Sequence, residues 1–507
     1  MPLRKQIKLK RITQDVVSKM ITDFIKNSVE QLKEFHEWYG HIWSHKIYEI
    51  QQKCKQMKEY ISRINPIVLE NMILPVIYRT FKLLRNFCHK SHLYILDGAK
   101  YLNIRHTCLC ILGSVLFPCI QELDLRVCED FTLGLVIENL TMIFNVKKLI
   151  ISRNVAPLTL ILHEKIRFLK ALRELHCYEC CSNQILCTVA RFCKELTLLD
   201  VRRSKQVDDF SVHSIIRLPS LETLIITETQ ISDPGYREIL LNLPELKNVS
   251  WPSLVEQVIR DVPLERTSKY VCADVKVVAP NLFCTKCPNI SELVITSQGE
   301  EIDMSVLSQL TQLTDLEIRD FDFIESKIDL LLQQSGPILK ILSLCCVYNV
   351  DGGIIINNCS NLKTLNLKSC YFTANSLVYT ERSHPHFVNL QVLALSSNID
   401  SVHFYACIKF YRNLEVFHII NAYEINDRFV RNLVEGNVFM NLIDFFAAYC
   451  SLNYSTAELL IDNCAKLQTI GNLNFWQIDD NNQEYLKTKV RSQNLDIEFI
   501  HTQVNPY

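Results

Sequence analysis

Two C-x-x-C pairs, Cys177/Cys180 and Cys284/Cys287, have the spacing at which two thiolates can grip one zinc ion. Their register in the chain argues for a different use. Leu172, Leu175 and Cys177 form the run L-x-x-L-x-[L/C], and Cys180 closes it three residues later. The same run, L-x-x-L-x-L-x-x-C, recurs at Leu362, Leu365, Leu367 and Cys370. Cys177 thus occupies the slot of an inward apolar residue, while Cys287 takes the slot that Cys359 holds, three residues ahead of the next run. Of the 21 cysteines, Cys193, Cys287, Cys359 and Cys464 precede a run by three residues, and Cys128, Cys180, Cys370 and Cys450 end one. These eight read as small apolar core residues with reduced thiols. Cys181 and the pair Cys345-Cys346 are expected to have exposed thiols. No metal and no cofactor are expected.

The motifs that position catalytic groups do not occur. G-x-S-x-G, H-E-x-x-H, the kinase set and both phosphate-cradling glycine loops are missing from the sequence. Glycine itself is scarce, 11 residues in 507, where average usage would give roughly three times as many. The expectation is a noncatalytic chain.

The elements behind the cysteines form a repeat. The template L-x-x-L-x-L begins at Ile120, Val146, Leu172, Leu196, Leu221, Leu246, Ile290, Leu313, Leu339, Leu362, Leu390, Leu414, Leu442 and Leu467. Successive starts lie about 25 residues apart, except across the longer gap between Leu246 and Ile290. That period belongs to leucine-rich repeats and not to ankyrin, TPR or HEAT units. Amphipathic stretches between the runs, such as Ser211–Leu218, Lys327–Gln333 and Ala457–Cys464, predict helices. The fold class expected is α/β: a leucine-rich repeat horseshoe with short parallel strands on the concave face, helices outside and an N-terminal α-helical module. The long gap between Leu246 and Ile290 is expected to hold a degenerate repeat or a loop. A looser connection is expected at Phe372–His386, around Ser383-His-Pro-His386. Asn472, where an apolar residue should stand, marks fraying.

Upstream the period changes. Val17, Ile21, Phe24, Leu32, Phe35, Tyr39, Ile42, Ile47, Ile50, Cys54, Met57 and Ile61 recur mostly at helical spacing. Gly40 is a plausible break, Asn65-Pro66 and Leu74-Pro75 punctuate the chain, and Val68–Phe87 reads as further helix. The organisation expected is a helical module over 1–90, a transition or capping repeat over 91–119, the array over 120–475 and a C-terminal cap over 476–507.

Charge separates these parts. Residues 1–90 carry 17 Lys/Arg against 8 Asp/Glu, leaving 37 against 47 for the rest, with an overall net charge of -1. Global attraction to nucleic acid has no support in that balance. The basic start, Arg4, Lys5, Lys8, Lys10 and Arg11, reads as a solvated tail, with a nuclear import signal or phosphate-binding arm as the alternative. The longest apolar stretch, Cys108–Ile120, is too short to span a bilayer, and the N-terminus has no signal-peptide pattern. The cytoplasm is the compartment expected, with the nucleus as the alternative.

Side chains alternate along a strand, so residues between the inward positions face the other way. That face carries Glu122, Asp124 and Arg126; Glu174, His176 and Tyr178; Asp200 and Arg202; Asp315, Glu317 and Arg319; Thr364, Asn366 and Lys368; and His418. Past Leu390 it turns more neutral, with Ala394, Ser396, Ile420, Phe446 and Ala448. Tyr178, Arg202 and Arg319 are the best candidates for protein contact, since Tyr and Arg dominate interface energetics. Arg126, His176, Lys368 and His418 complete the set.

The unit C-x-x-L-x-x-L-x-L-x-x-C, complete in Cys359–Cys370 and closely copied from Cys287 to Ile295, resembles the cysteine-containing repeats of F-box and leucine-rich-repeat proteins over about residues 120 to 475. The resemblance implies a substrate receptor of a cullin-RING ubiquitin ligase. Its concave face would hold the substrate and its N-terminal helices a Skp-family adaptor. An F-box reads Leu-Pro, an apolar helix, then a Val-Cys-Lys-x-Trp-like segment. Leu74–Cys88 supplies the opening, but the next tryptophan in the chain is the distant Trp251. Leu84–Cys88 has the L-x-x-x-C spacing of an elongin-binding box. The alternative is a scaffold or regulator that binds one protein without ubiquitin chemistry.

Overall fold

The computed structural model describes residues 2–34, 41–90, 98–152, 156–297, 299, 301–373, 389–396, 408, 411–422, 425–493 and 495–500. The side chains of 2–13, 41, 71, 90 and 156–159 are outside the description. The expected break at Gly40, the connection at Ser383–His386 and the basic side chains of Arg4 to Arg11 therefore lie outside the described residues. The chain divides into two compact units, Met1–Leu246 and Lys247–Tyr507.

The first unit begins with four helices, α1 (Pro2–Lys33), α2 (His41–Ser62), α3 (Pro66–Lys90) and α4 (Gly98–Gly113). Their buried stripes follow helical spacing: Ile21, Ile25, Val29 and Leu32 on α1; Ile47, Ile50, Cys54 and Ile61 on α2. Asn65-Pro66 does start a helix, since the Ile67 N–H donates to Asn65 Oδ1 at 2.9 Å and proline suits the first turn. Leu74-Pro75 does not interrupt the chain as the sequence suggests. Pro75 sits inside α3, whose residues Ile73, Val76 and Ile77 are fully buried. Their packing outweighs the one backbone hydrogen bond that proline removes.

Five parallel strands follow in register: β1 (Glu122–Asp124), β2 (Lys148–Ser152), β3 (Glu174–Tyr178), β4 (Leu198–Asp200) and β5 (Thr223–Ile225). The helices are fastened to the first of them. The Asp124 N–H donates to Tyr78 Oη at 3.3 Å, Gln121 Nε2 donates to Glu70 Oε1 at 2.7 Å, and His89 Nε2 lies 2.6 Å from Glu129. Over 91–119, where a transition or capping repeat is expected, α4 supplies a helix, and the first strand described is β1.

The second unit holds eleven parallel strands: β6 (Asn248–Leu254), β7 (Cys272–Lys276), β8 (Glu292–Thr296), β9 (Asp315–Arg319), β10 (Ile341–Cys345), β11 (Thr364–Lys368), β12 (Val392–Ser396), β13 (Val416–Ile420), β14 (Asp444–Ala448), β15 (Thr469–Gly471) and β16 (Glu498–Ile500). Leu365 pairs with Leu342 on one side and Leu393 on the other. Inward leucines therefore stack in rows, and Leu362, Leu365 and Leu367 are buried together with Cys359 and Cys370. All eight cysteines placed by register in the core are buried, and burial pushes the Cys359 and Cys370 thiols up to about 12. This is an α/β leucine-rich repeat fold with a helical N-terminal region.

A left-handed residue follows the strand in many repeats. Glu179, Arg203, Glu228, Asp320, Cys346, Ser369, Asn421 and Tyr449 all have φ between 52° and 64°. None is glycine, so each turn carries conformational strain. A backbone bond to the next repeat offsets it: the N–H groups of Asp320, Cys346 and Asn421 donate to the carbonyls of Cys345, Lys368 and Ala448 at 2.8–3.0 Å.

The long gap between Leu246 and Ile290 holds a complete repeat. Tyr270, just before β7, and Ala273 and Val275 on it fill the three inward slots of the repeat, and tyrosine and alanine in leucine positions hide it from the template. Beside it, the buried Glu256 carboxylate accepts the N–H groups of Val278 and Ala279 at 2.7 and 2.6 Å, just before the helix Pro280–Lys286. At the other end β16 extends the sheet, with Phe499 opposite Ile470. Asn472 is buried, its N–H donating to the Ala447 carbonyl at 3.0 Å.

Candidate functional site

The outward face of the five-stranded sheet brings together His176, Tyr178 and Arg202 around Asp200. Asp200 is fully buried. Arg202 Nε and Nη2 donate to its carboxylate at 3.0 and 2.6 Å, and His176 Nδ1 lies 3.5 Å from Oδ2. The Arg202 guanidinium rests 5.3 Å above the Tyr178 ring, and Tyr178 Oη is 3.1 Å from His176 Nδ1. Arg126, on the same face beyond β1, donates to Asp124 through Nε and Nη2 at 3.0 and 2.6 Å.

Burial alone would raise the Asp200 carboxyl, but hydrogen bonds from His176 and Arg202 outweigh it and hold it below the usual aspartate range. The consequence for stability has a definite sign. A depressed folded value means that ionised Asp200 stabilises the fold above the unfolded value, about pH 4, and that this contribution vanishes as pH falls through the lower folded value. Thermal melts from pH 6 to pH 2.5 should therefore show an acid-side loss that is smaller in Asp200→Asn. At pH 7 that variant should be less stable by about 1–3 kcal/mol. An acid limb identical in both proteins would show that Asp200 titrates alike folded and unfolded.

Arg319 repeats the arrangement in the second unit, donating through Nε to Glu317 at 2.6 Å. Arg126, Arg202 and Arg319 each stand two residues after an acid on a strand, hence on the same face as it. Sequence reading selects them as candidates for protein contact. In the structure each guanidinium is engaged by the acid two residues before it, through Nε and Nη2 in Arg126 and Arg202 and through Nε in Arg319, so a ligand would meet it as half of an ion pair with donors to spare.

Lys368 differs from them. It is exposed, and among the described residues no carboxylate lies in ion-pair range of its ammonium. It borders a groove of about 840 Å³ on the outward face of β9 to β14. One end of this groove is polar, with Ser343, Asn366 and Lys368; the other is apolar, with Ile420, Phe446, Ala448 and Phe475. Asn366 Nδ2 donates to Ser343 Oγ at 3.0 Å. His418, another selected residue, does not reach out. It is buried, with Nε2 2.8 Å from Asp444 Oδ2 and its ring 5.5 Å from that of Phe446, so it stiffens the groove floor.

Sequence reading misses Tyr449 and Phe475, whose rings lie 4.2 Å apart at the apolar end. Tyr449 is a left-handed turn residue and Phe475 belongs to a short 3-10 turn, Leu473–Phe475. Neither sits in a strand slot, so alternation could not find them. Nor is Cys181 exposed as expected: it is buried, its N–H donating to Ser204 Oγ at 3.2 Å. Cys345 and Cys346 are partly accessible, their sulfurs 3.9 Å apart.

Cys177 and Cys180 have sulfurs 3.0 Å apart in the core, and among the described residues no three His, Cys, Asp or Glu side chains cluster as metal ligands. No described helix is long and apolar enough to cross a membrane.

No protein-family model and no curated protein matches the chain. Among solved structures, a leucine-rich-repeat protein of Leptospira interrogans is similar at 12% identity and TM-score 0.30, over 77% of this chain and 91% of its own. The structure of Rad7 and Elc1 from yeast gives 15% identity and TM-score 0.39, over 74% of this chain and 94% of the matched chain. That of PEPR1 with AtPEP1 gives 13% and 0.30, over 75% and 52%. Likenesses this weak add nothing to the fold read from strand register.

Proposed function

We propose that this chain is a noncatalytic recognition subunit that holds a segment of a partner protein in the groove of its eleven-stranded sheet. The observation that supports the reading is the groove itself. An apolar end made by Ile420, Phe446, Ala448 and Phe475 adjoins a polar end with Lys368. That combination of apolar anchor site and polar rim suits a protein ligand. The more specific reading is a substrate receptor of a cullin-RING ubiquitin ligase, supported by the cysteine-repeat resemblance. Its mechanism is proximity: one body holding substrate and adaptor raises the local concentration of each for the other.

Adaptor docking falls in this reading to the exposed apolar residues of α2 and α3, Ile42, Tyr48 and Ile67. Deleting the helices would strip the hydrogen bonds to β1, so point changes in the full chain are the better test. In affinity purification, a Skp-family or elongin adaptor with its cullin should accompany the wild type. It should be lost from Ile42→Lys/Tyr48→Lys/Ile67→Lys and kept by Ile420→Arg. Purification without any cullin component would leave a scaffold or regulator and dismiss the ubiquitin reading.

A further inference from the structure

A cavity of about 520 Å³ opens in the first unit where α2 and α4 meet the first repeats. Its wall is mainly apolar, with Cys54, Leu109 and Met142, yet Lys58 lies among them. Lys58 is half-buried. Its Nζ sits 3.4 Å from Met142 Sδ and 6.0 Å from the centre of the Phe117 ring. Burial pushes its pKa down. Among the described residues the only acid lining the cavity, Glu138, is taken by Arg105, which donates to both carboxylate oxygens. Among the described residues no carboxylate lies in ion-pair range of Lys58, whereas Lys53 on the same helix pairs with Glu49 at 2.6 Å.

A partly desolvated ammonium without a counter-charge is unfavourable, and an incoming anion relieves it. Three more basic side chains, Lys55, His106 and Lys165, surround the opening, so the field favours negative charge over neutral ligands. The volume is that of a small-molecule site, and the apolar wall asks for more than a bare ion. From this juxtaposition we infer that the cavity binds a small amphipathic anion, its acidic group against Lys58 and its apolar body against Cys54, Leu109 and Met142. The inference is independent of the groove and of any ubiquitin role.

Two dyes separate its elements: anilinonaphthalene sulfonate, and phenylnaphthylamine, the same ring system without the sulfonate. Fluorescence titration of the full chain should show saturable binding of the sulfonate, at least about tenfold weaker in Lys58→Met and kept in Lys58→Arg. Phenylnaphthylamine should bind Lys58→Met as it binds the wild type. Equal sulfonate affinity in Lys58→Met and wild type would overturn the proposal. So would complete competition by inorganic phosphate, because surface charge alone would then suffice. Should Lys58→Met fail to fold, Lys165→Gln serves instead, with a weaker loss expected and an unchanged affinity counting against the site.

Discussion

Truncating Phe445 to alanine will lower the stability of the unit Lys247–Tyr507 by about 3–5 kcal/mol, the range for emptying a buried aromatic site. Phe445 is fully buried on the inward face of β14. Its ring lies 5.8 Å from Phe417, 6.0 Å from Phe439 and 5.9 Å from Trp476. Phe417 and Phe439 come from the preceding repeat and Trp476 from the following one, and Trp476 is itself anchored by Nε1 donating to the Ala447 carbonyl at 2.8 Å. A cavity there cannot be closed by one side chain turning, because the neighbours are rigid rings that are themselves buried. Urea unfolding should show a lower midpoint, with the transition of the second unit moving most. In a repeat array the effect is expected to spread to adjoining repeats, since each is stabilised mainly by its neighbours. A loss below about 1 kcal/mol, the mean for an ordinary point substitution, would mean that this aromatic cluster is not the core of the C-terminal repeats.

Ile420→Arg should behave in the opposite way. Ile420 lies on β13 one residue beyond the inward Ile419, on the face that forms the groove. Its half-buried side chain takes no part in the leucine rows, so stability should change by no more than about 0.5 kcal/mol. Binding should suffer much more. An arginine there places a charge in the apolar end between Phe446, Ala448 and the groove mouth, and a partner side chain seated on that floor would have to bury it unpaired. Loss of a central apolar anchor typically costs about 2 kcal/mol or more, which is at least about tenfold in affinity. The pair of substitutions, on adjacent strands and opposite faces, separates the residues that make the fold from those proposed to use it.

Most of the fold is legible because leucine spacing encodes it directly. A period of about 25 residues with three apolar slots specifies parallel strands stacked in register, and cysteine fits those slots by size. What escapes detection does so for local physical reasons. In the β7 repeat a buried tyrosine and an alanine replace leucines, and at β16 the strand is short, yet both strands are held by the ladder to a neighbouring strand. Pro75 misleads because propensity is local, while the burial of α3 is tertiary. The candidate site is less legible. Alternation puts Arg126, Arg202 and Arg319 on the outward face, but the same period places an acid beside each, and only the geometry shows the ion pairs. Lys368 has no such neighbour two residues before it, where Asn366 stands. His418 reads as a reaching side chain in sequence, and the carboxylate that turns it into floor, Asp444 on β14, belongs to the next repeat.

The most direct measurement is partner capture by the full chain in three forms: wild type, Ile420→Arg in the groove, and Leu330→Arg on the exposed face of the helix Ile328–Ser335. With matched amounts of folded protein, verified by identical melts, recovery of the bound protein should fall at least about tenfold for Ile420→Arg and stay at the wild-type level for Leu330→Arg. Equal recovery by wild type and Ile420→Arg, or a loss confined to Leu330→Arg, would contradict recognition through the groove and move the binding surface to the helical side.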